Sequence, residues 1–188
     1  GGSKKINNKM LELGLRISSI VKRFYLGGGS AIMFKYNHRK SIDLDFFNFK
    51  EFSYNLISKK IRDSFKVENE QRLGDNIDFI IEGIKVSFIF YPFENINNLD
   101  KFKGLSVISD YDIFLNKIYV AGRRVETKDP FDAAYLYNLH NWDKEKIKTD
   151  FEIKFPQQSY KIYLGALLSF DDYFELEDWI KETLMKLL

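Results

Sequence analysis

Two short motifs between Phe24 and Phe47 carry residues that suit phosphate and metal chemistry. The first is the run SIDLDF, whose alternation predicts a strand with Ser41, Asp43 and Asp45 on one face. Two carboxylates placed this way repel each other unless they are solvated, share a proton or bind a cation. Mg²⁺ suits such a pair, because it takes one or two carboxylates and completes its shell with water and substrate phosphates. A solvent-facing edge strand with two unrelated acids is the alternative.

The second motif, LGGGS, includes Gly28, Gly29 and Ser30. Glycines between a strand and a helix let the backbone approach a ligand closely, and the helix N-terminus offers free N–H groups to a phosphate. Ser30 is predicted to cap that helix and to present its hydroxyl to the same anion. An ordinary tight turn is the alternative. Because one short helix joins the two motifs, they predict an anion site beside a cation site, as nucleoside triphosphate chemistry requires.

The spacing of both motifs resembles the nucleotidyltransferase signature of the AbiEii/AbiGii abortive-infection toxins and the MenT-type toxins, in the DNA polymerase β-like superfamily. The matching positions are Gly28, Gly29, Ser30, Ala31, Arg39, Ser41, Asp43 and Asp45. A second block, DIFLNKIYVAGRRVETKDPFDAAYL, resembles the family's later lysine, arginine and acidic motif. Its matching positions are Lys117, Arg123 or Arg124, Lys128, Asp129 and Asp132. Together the blocks span residues 24–138.

The resemblance implies transfer of a nucleoside monophosphate from a nucleoside triphosphate to an acceptor hydroxyl. The implied catalytic residues are Asp43, Asp45, Lys117 and Asp132. Asp43 and Asp45 would hold Mg²⁺, with two ions possible. The implied nucleotide-binding residues are Gly28, Gly29, Ser30, Arg39, Ser41 and Lys117. The acceptor would be RNA, such as the 3′ end of tRNA, and the protein would be the toxin of a type IV-like bacterial toxin–antitoxin system, with a cognate antitoxin. Adenylylation of a partner protein, or a lapsed transferase that only binds a nucleotide or partner, are the alternatives.

Three features of the sequence leave residue roles open. Superfamily members place a third acid on a later strand, where this chain has Ser87. Either Asp78, Glu82 or Asp132 supplies that acid, or the enzyme works with two acids. Lys117 lies among apolar residues, where its ammonium either neutralises a triphosphate or extends to solvent. The Asp129-Pro130 pair is typical of a helix start with Asp129 as N-cap.

Composition limits the other possibilities. The chain of 188 residues has no cysteine and two histidines, which excludes a disulfide framework and argues against a histidine-rich zinc site. A net charge of +2 does not by itself argue for nucleic acid. No membrane-length apolar run or signal peptide is present, so a cytoplasmic location is expected.

The pattern of elements predicts an α+β fold: a polymerase β-like core with a small mixed sheet flanked by helices, then a helical C-terminal half. The predicted boundaries are a cloning remnant at 1–3, a core at 4–109 and the helical half at 110–188. Predicted strands include a hairpin of 77–81 and 84–91 joined by Glu82-Gly83. The last predicted helix covers 170–188.

Overall fold

The computed structural model describes residues 2–188, in which seven strands form one mixed sheet of order β3-β4-β5-β2-β1-β7-β6. The strands are β1 (Tyr25–Gly27), β2 (Asp43–Asn48), β3 (Asn69–Leu73), β4 (Asn76–Ile81), β5 (Ile84–Phe90), β6 (Asp100–Phe102) and β7 (Leu105–Val107). The helices are α1 (Gly2–Ile20), α2 (Gly28–Tyr36), α3 (Tyr54–Ser64), α4 (Asp110–Ala121), α5 (Lys128–His140), α6 (Lys144–Lys154), α7 (Tyr160–Leu167) and α8 (Asp178–Met185). The predicted α+β class is confirmed.

The chain divides into two units. Of the described residues, the first unit contains 2–93 and 99–108, with the whole sheet and α1 to α3. The second contains residues 94–98 and 109–188, with α4 to α8. Of the predicted cloning remnant, Gly1 lies outside the described residues, and α1 begins at Gly2. Within residues 2–188, no helix combines the length and apolarity that a membrane crossing needs.

Strand β2 is the middle strand of the sheet, and its two faces differ in polarity. It pairs antiparallel with β1 and parallel with β5. Leu44 and Phe46 are buried, and Phe46 stacks on Phe88 of β5 with ring centroids 5.6 Å apart. Asp43 and Asp45, which alternate with them, are half-buried on the other face. Apolar packing therefore fixes which way the acids point.

The hairpin of β4 and β5 forms as predicted. Glu82 and Gly83 both have positive φ, 53° and 77°, as a two-residue hairpin turn requires. Ile81 pairs with Ile84, so the turn sets the register of the whole hairpin.

The C-terminal prediction is wrong in its extent. Residues Phe170–Asp172 form a 3₁₀ turn, and α8 covers only Asp178–Met185. The segment between them contains Glu175 with a φ of 49°, which no continuous right-handed helix allows. Strands β3 and β6 were not predicted, because their sequences are mostly polar and their side chains mostly exposed.

A buried ion pair organises the second unit. The Lys154 ammonium lies 3.0 Å from an Asp112 carboxylate oxygen, and both side chains are 0% exposed. Asp112 also accepts hydrogen bonds from the backbone N–H groups of Ile96 and Asn97, which hold residues 94–98 in this unit. Burial lowers the pKa of Lys154 to about 8, although Asp112 opposes that shift.

Candidate active site

The glycine motif and the acid pair meet at the end of β1. In the register of β1 and β2, Gly27 lies opposite Asp45. Gly28 follows at a φ of +68°, and a Cβ atom built on it would lie 2.7 Å from Asp45 Oδ2. Because this position has both a left-handed backbone and a carboxylate at contact distance, glycine is the residue that fits it. The two motifs therefore form one structural site.

The acids face away from the core, as the alternation predicts. Asp43 and Asp45 are half-buried, while Leu44 between them is 0% exposed. Within residues 2–188, no three acidic or histidine side chains converge to hold a metal. A pair of carboxylates beside an open backbone loop nevertheless fits Mg²⁺, which needs only one or two protein carboxylates.

Ser30 does not cap α2, so that prediction is wrong. The helix begins at Gly28, with Gly27 in the N-cap position and no side-chain cap. Ser30 is 2% exposed, and its hydroxyl is hydrogen-bonded to the backbone carbonyl of Asp43 and lies 2.9 Å from the Ser41 hydroxyl. The Asp43 N–H in turn donates to Ser41 Oγ at 3.4 Å. The two serines thus anchor the start of the acid strand to α2.

Two other predicted nucleotide-binding residues lie on the segment that connects β1 to β2. Gly29 is buried in the first turn of α2. Arg39 lies between α2 and β2, and its Nη1 donates to the carbonyl of Lys40 at 3.0 Å. Ile42 of the SIDLDF run precedes β2 and is 60% exposed, so the alternation of buried residues begins at Leu44.

Replacing Gly28 provides a first test of the close approach. We expect Gly28→Ala to abolish most of any transfer activity, because its Cβ displaces the Asp45 carboxylate. Gly74→Ala is the matched control, because Gly74 also has a positive φ (+54°) but no atom lies within 4 Å of its Cβ position. Both variants should lose about 1–2 kcal/mol of unfolding free energy to backbone strain. Equal activity in the two variants would contradict a functional role for the contact.

Strand register places one candidate third acid, Asp78, in line with Asp45 across the sheet. Asp45 lies opposite Ser87 across β2 and β5, and Ser87 lies opposite Asp78 across β5 and β4. The three residues therefore form a row on one face, with Asp45 and Asp78 about 10 Å apart between Cα atoms. Asp78 is 8% exposed and accepts a hydrogen bond from Asn76 Nδ2 at 2.8 Å. Glu82 lies instead in the hairpin turn.

The later motif forms a buried charge cluster within the second unit. The Lys117 ammonium lies 2.9 Å from Asp129 Oδ1 and 3.0 Å from Asp132 Oδ2, and both carboxylates are 0% exposed. Arg124 donates two hydrogen bonds of 2.8 Å to Asp129. Lys117 is only 5% exposed, so the alternative that it extends to solvent is wrong.

Asp129 is a partner in this cluster and not a helix cap. Helix α5 begins at Lys128, with Thr127 in the N-cap position. Burial alone would raise the pKa of Asp129, but hydrogen bonds from Arg124 and the charges of Lys117 and Arg124 outweigh it and lower that pKa. Asp129 therefore remains ionised and binds both cations.

Comparison with known proteins identifies the family. The profile of the nucleotidyl transferase AbiEii toxins, which belong to type IV toxin–antitoxin systems, matches residues 14–184. The chain belongs to the AbiEii nucleotidyltransferase family. The AbiEii match includes both units, and the predicted family and the predicted enzyme class are confirmed.

Three similar proteins align with nearly the whole length of this AbiEii chain. An uncharacterised protein of Aquifex aeolicus (strain VF5) is 30% identical over 189 residues, covering 96% of this chain and 91% of the relative. A crystal structure of a candidate nucleotidyltransferase from Helicobacter pylori aligns with a TM-score of 0.56 at 16% identity, covering 96% of this chain and 89% of that one. MenT4, a nucleotidyltransferase toxin of Mycobacterium tuberculosis H37Rv, aligns at 0.53 and 14% identity, covering 92% and 68%. These two structures support the nucleotidyltransferase fold.

Proposed function

We propose that this AbiEii protein transfers a nucleoside monophosphate from a nucleoside triphosphate to a hydroxyl of RNA, as the toxin of a toxin–antitoxin pair. The observation that carries the proposal is the contact between the Gly28 position and the Asp45 carboxylate. It brings a phosphate-compatible loop against a carboxylate pair suited to Mg²⁺. The 3′ end of tRNA is the acceptor that the family resemblance favours.

The site residues of the first unit have the following parts in this proposal. Asp43 and Asp45 hold Mg²⁺, which when bound would offset the negative charge of the reacting triphosphate. The backbone N–H groups at Gly28 and Gly29 bind phosphate oxygens at the start of α2. Ser30 and Ser41 position the acid strand through their contacts with the backbone of Asp43. The acceptor hydroxyl attacks the α-phosphate in line and releases pyrophosphate.

Residues of the second unit enter the proposal through the family resemblance. Asp132 is proposed to act on the acceptor side, and Lys117 is proposed to support transfer by balancing negative charge. Within the second unit the Lys117 ammonium already contacts two carboxylates. These contacts therefore support one part of the role of Lys117, which is to hold Asp132 in place.

Asp78 is proposed as the base that accepts the proton from the attacking hydroxyl. If so, Asp78→Asn should lower turnover by about 10²-fold, the smaller end of the usual effect of a general base. Asn keeps the side-chain shape, so the hydrogen bond to Asn76 can persist. Adding Ser87→Asp to that variant should recover part of the activity, because Ser87 lies between Asp78 and Asp45 in the row. Full activity of Asp78→Asn would contradict this role.

The identity of the acceptor is tested by finding which molecule receives the labelled nucleotide. The protein, Mg²⁺ and each α-³²P-labelled nucleoside triphosphate are incubated with total bacterial RNA, with purified tRNA or with a protein extract. We expect label in RNA. Label in a protein band alone would instead support adenylylation of a partner protein.

A further inference from the structure

A basic groove lies at one end of the paired strands β1 and β2. The acid pair, Asp43 and Asp45, lies toward the other end of these strands. The groove has a volume of about 720 Å³ and belongs wholly to the first unit. Its walls come from the segment between α1 and β1, the last residue of β2 with the segment that follows it, and α3. Asn48, which lines the groove, is three residues along β2 from Asp45, about 10 Å at the usual strand rise.

Four cations line this groove: Lys22, Arg23, Lys50 and Lys60. All four are exposed, and none has a carboxylate within salt-bridge distance among residues 2–188. Glu51 is the acidic residue among those that line the groove. The groove therefore has an excess of three positive charges that the described part of the protein does not neutralise.

Aromatic rings lie between these cations. Phe49 is 44% exposed, and Phe24 and Phe52 are half-buried and pack edge to face at 4.9 Å. Phe24 is also held by Phe88 of the core at 5.2 Å. Rings alternating with unpaired cations are typical of surfaces that stack bases and neutralise phosphates along a single strand of nucleic acid.

Arg23 has a backbone conformation that its side chain does not favour. Its φ is 70°, in the turn between the end of α1 and the start of β1, where glycine or asparagine is usual after a helix. An arginine here makes the fold less stable than a glycine would. It does, however, place a cation at the groove.

We infer that this groove binds the sugar–phosphate backbone of RNA, with at least one base stacked on the exposed phenylalanine. The choice of RNA among polyanions rests on the proposed function, in which RNA supplies the acceptor hydroxyl. An acidic protein would match the charge but would leave the aromatic surface without a base to stack on it. An RNA whose end reaches the acid pair would continue for a few nucleotides toward this groove.

The test measures binding without catalysis. Fluorescence anisotropy is followed for a fluorescein-labelled single-stranded RNA, with no nucleoside triphosphate, over a series of salt concentrations. Lys50→Glu/Lys60→Glu should bind at least 10-fold more weakly than the wild type. Its slope of log affinity against log salt should also be shallower by about 1.4, for two lost contacts to a single strand.

The matched control is Lys59→Glu/Lys66→Glu, which changes the net charge equally at exposed lysines outside the groove. It should bind RNA within about twofold of the wild type. An equal loss in the control would mean that net charge alone matters, and would overturn the inference. Equal binding by the groove variant and the wild type would overturn it too.

Arg23→Gly separates a binding role from a structural one. It should bind RNA more weakly while its unfolding temperature stays the same or rises, because the backbone strain is removed. Unchanged RNA affinity with a higher unfolding temperature would contradict a role for Arg23. Poly-L-glutamate is the competing probe: if the groove variant loses affinity for it as strongly as for RNA, the groove binds any polyanion and the assignment to RNA is wrong.

The same measurement separates this inference from the proposed function. Asp45→Asn should lose transfer but bind RNA as the wild type does. Loss of RNA affinity in the groove variant, with no transfer by the wild type to any RNA, would contradict the proposed function and still support the groove.

Discussion

Asp45→Asn is expected to lower nucleotidyl transfer by about 10²–10³-fold, the loss typical of a preorganised charge contact in a transition state. The change preserves the shape of the side chain and removes one of two like charges on the same strand face. Fold stability should therefore stay the same or rise slightly, because two neighbouring carboxylates repel each other. Asp43→Asn should behave in the same way. Single-turnover rates at saturating nucleotide measure the first effect, and thermal unfolding measures the second.

The control for this pair is Asp75→Asn, an exposed acid of the same unit in the turn between β3 and β4. It should transfer at the wild-type rate. Near-wild-type transfer by Asp43→Asn or by Asp45→Asn would show that the acids are surface residues without a metal-binding role.

Lys117→Met is expected to lower the free energy of unfolding by about 3–5 kcal/mol, as for other buried ion pairs that lose one partner. The variant leaves the carboxylate of Asp132 buried without the ammonium that lies 3.0 Å away. Asp129 would keep its hydrogen bonds from Arg124 but lose the contact at 2.9 Å. Urea unfolding monitored by circular dichroism measures the loss. Lys128→Met is the control: its ion pair with Glu126 is partly exposed, so about 0–1 kcal/mol is expected.

A double variant separates stability from catalysis at this cluster. Adding Asp132→Asn to Lys117→Met removes a buried charge that has lost the Lys117 ammonium, so much of the lost stability should return. Turnover should remain low if Asp132 acts on the acceptor, and nucleotide affinity should change less than turnover. Recovery of stability and turnover together would mean that the pair is purely structural.

The pH dependence of stability gives a second view of this cluster. Because the folded-state pKa of Asp129 is lowered, its ionised form stabilises the fold above the unfolded-state pKa of about 3.9. That contribution is lost as pH falls through the folded-state value. The difference in stability between wild type and Lys117→Met should therefore shrink below about pH 4.

The parts of the fold that were predictable depend on local chemistry. Alternation in SIDLDF fixed the orientation of Asp43 and Asp45, because Leu44 and Phe46 must be buried. The two-residue turn at Glu82-Gly83 was sufficient to predict the hairpin. Its register also places Asp78 opposite Ser87, so this pairing of the third acidic candidate could have been read from the turn. The pairing of Ser87 with Asp45 could not, because it belongs to the parallel contact between β2 and β5.

Other features depend on contacts that the sequence does not reveal. Ser30 was expected to cap α2, but its hydroxyl is instead committed to the strand that follows that helix. The glycines predict close approach of a ligand to the loop, whereas the structure shows Gly28 itself at a positive φ and against the Asp45 carboxylate. The partners of Lys117 lie 12 and 15 residues away, across the turn between two helices, and hydrophobic periodicity carries no information about such pairs.

One measurement tests the central claim most directly. The wild type and Asp45→Asn are each incubated with RNA, Mg²⁺ and the four α-³²P-labelled nucleoside triphosphates in separate reactions, with and without EDTA. The account predicts that the wild type labels RNA with at least one nucleotide, and that EDTA or Asp45→Asn removes the label. Equal labelling by Asp45→Asn, or no labelled RNA from any of the four nucleotides, would contradict it.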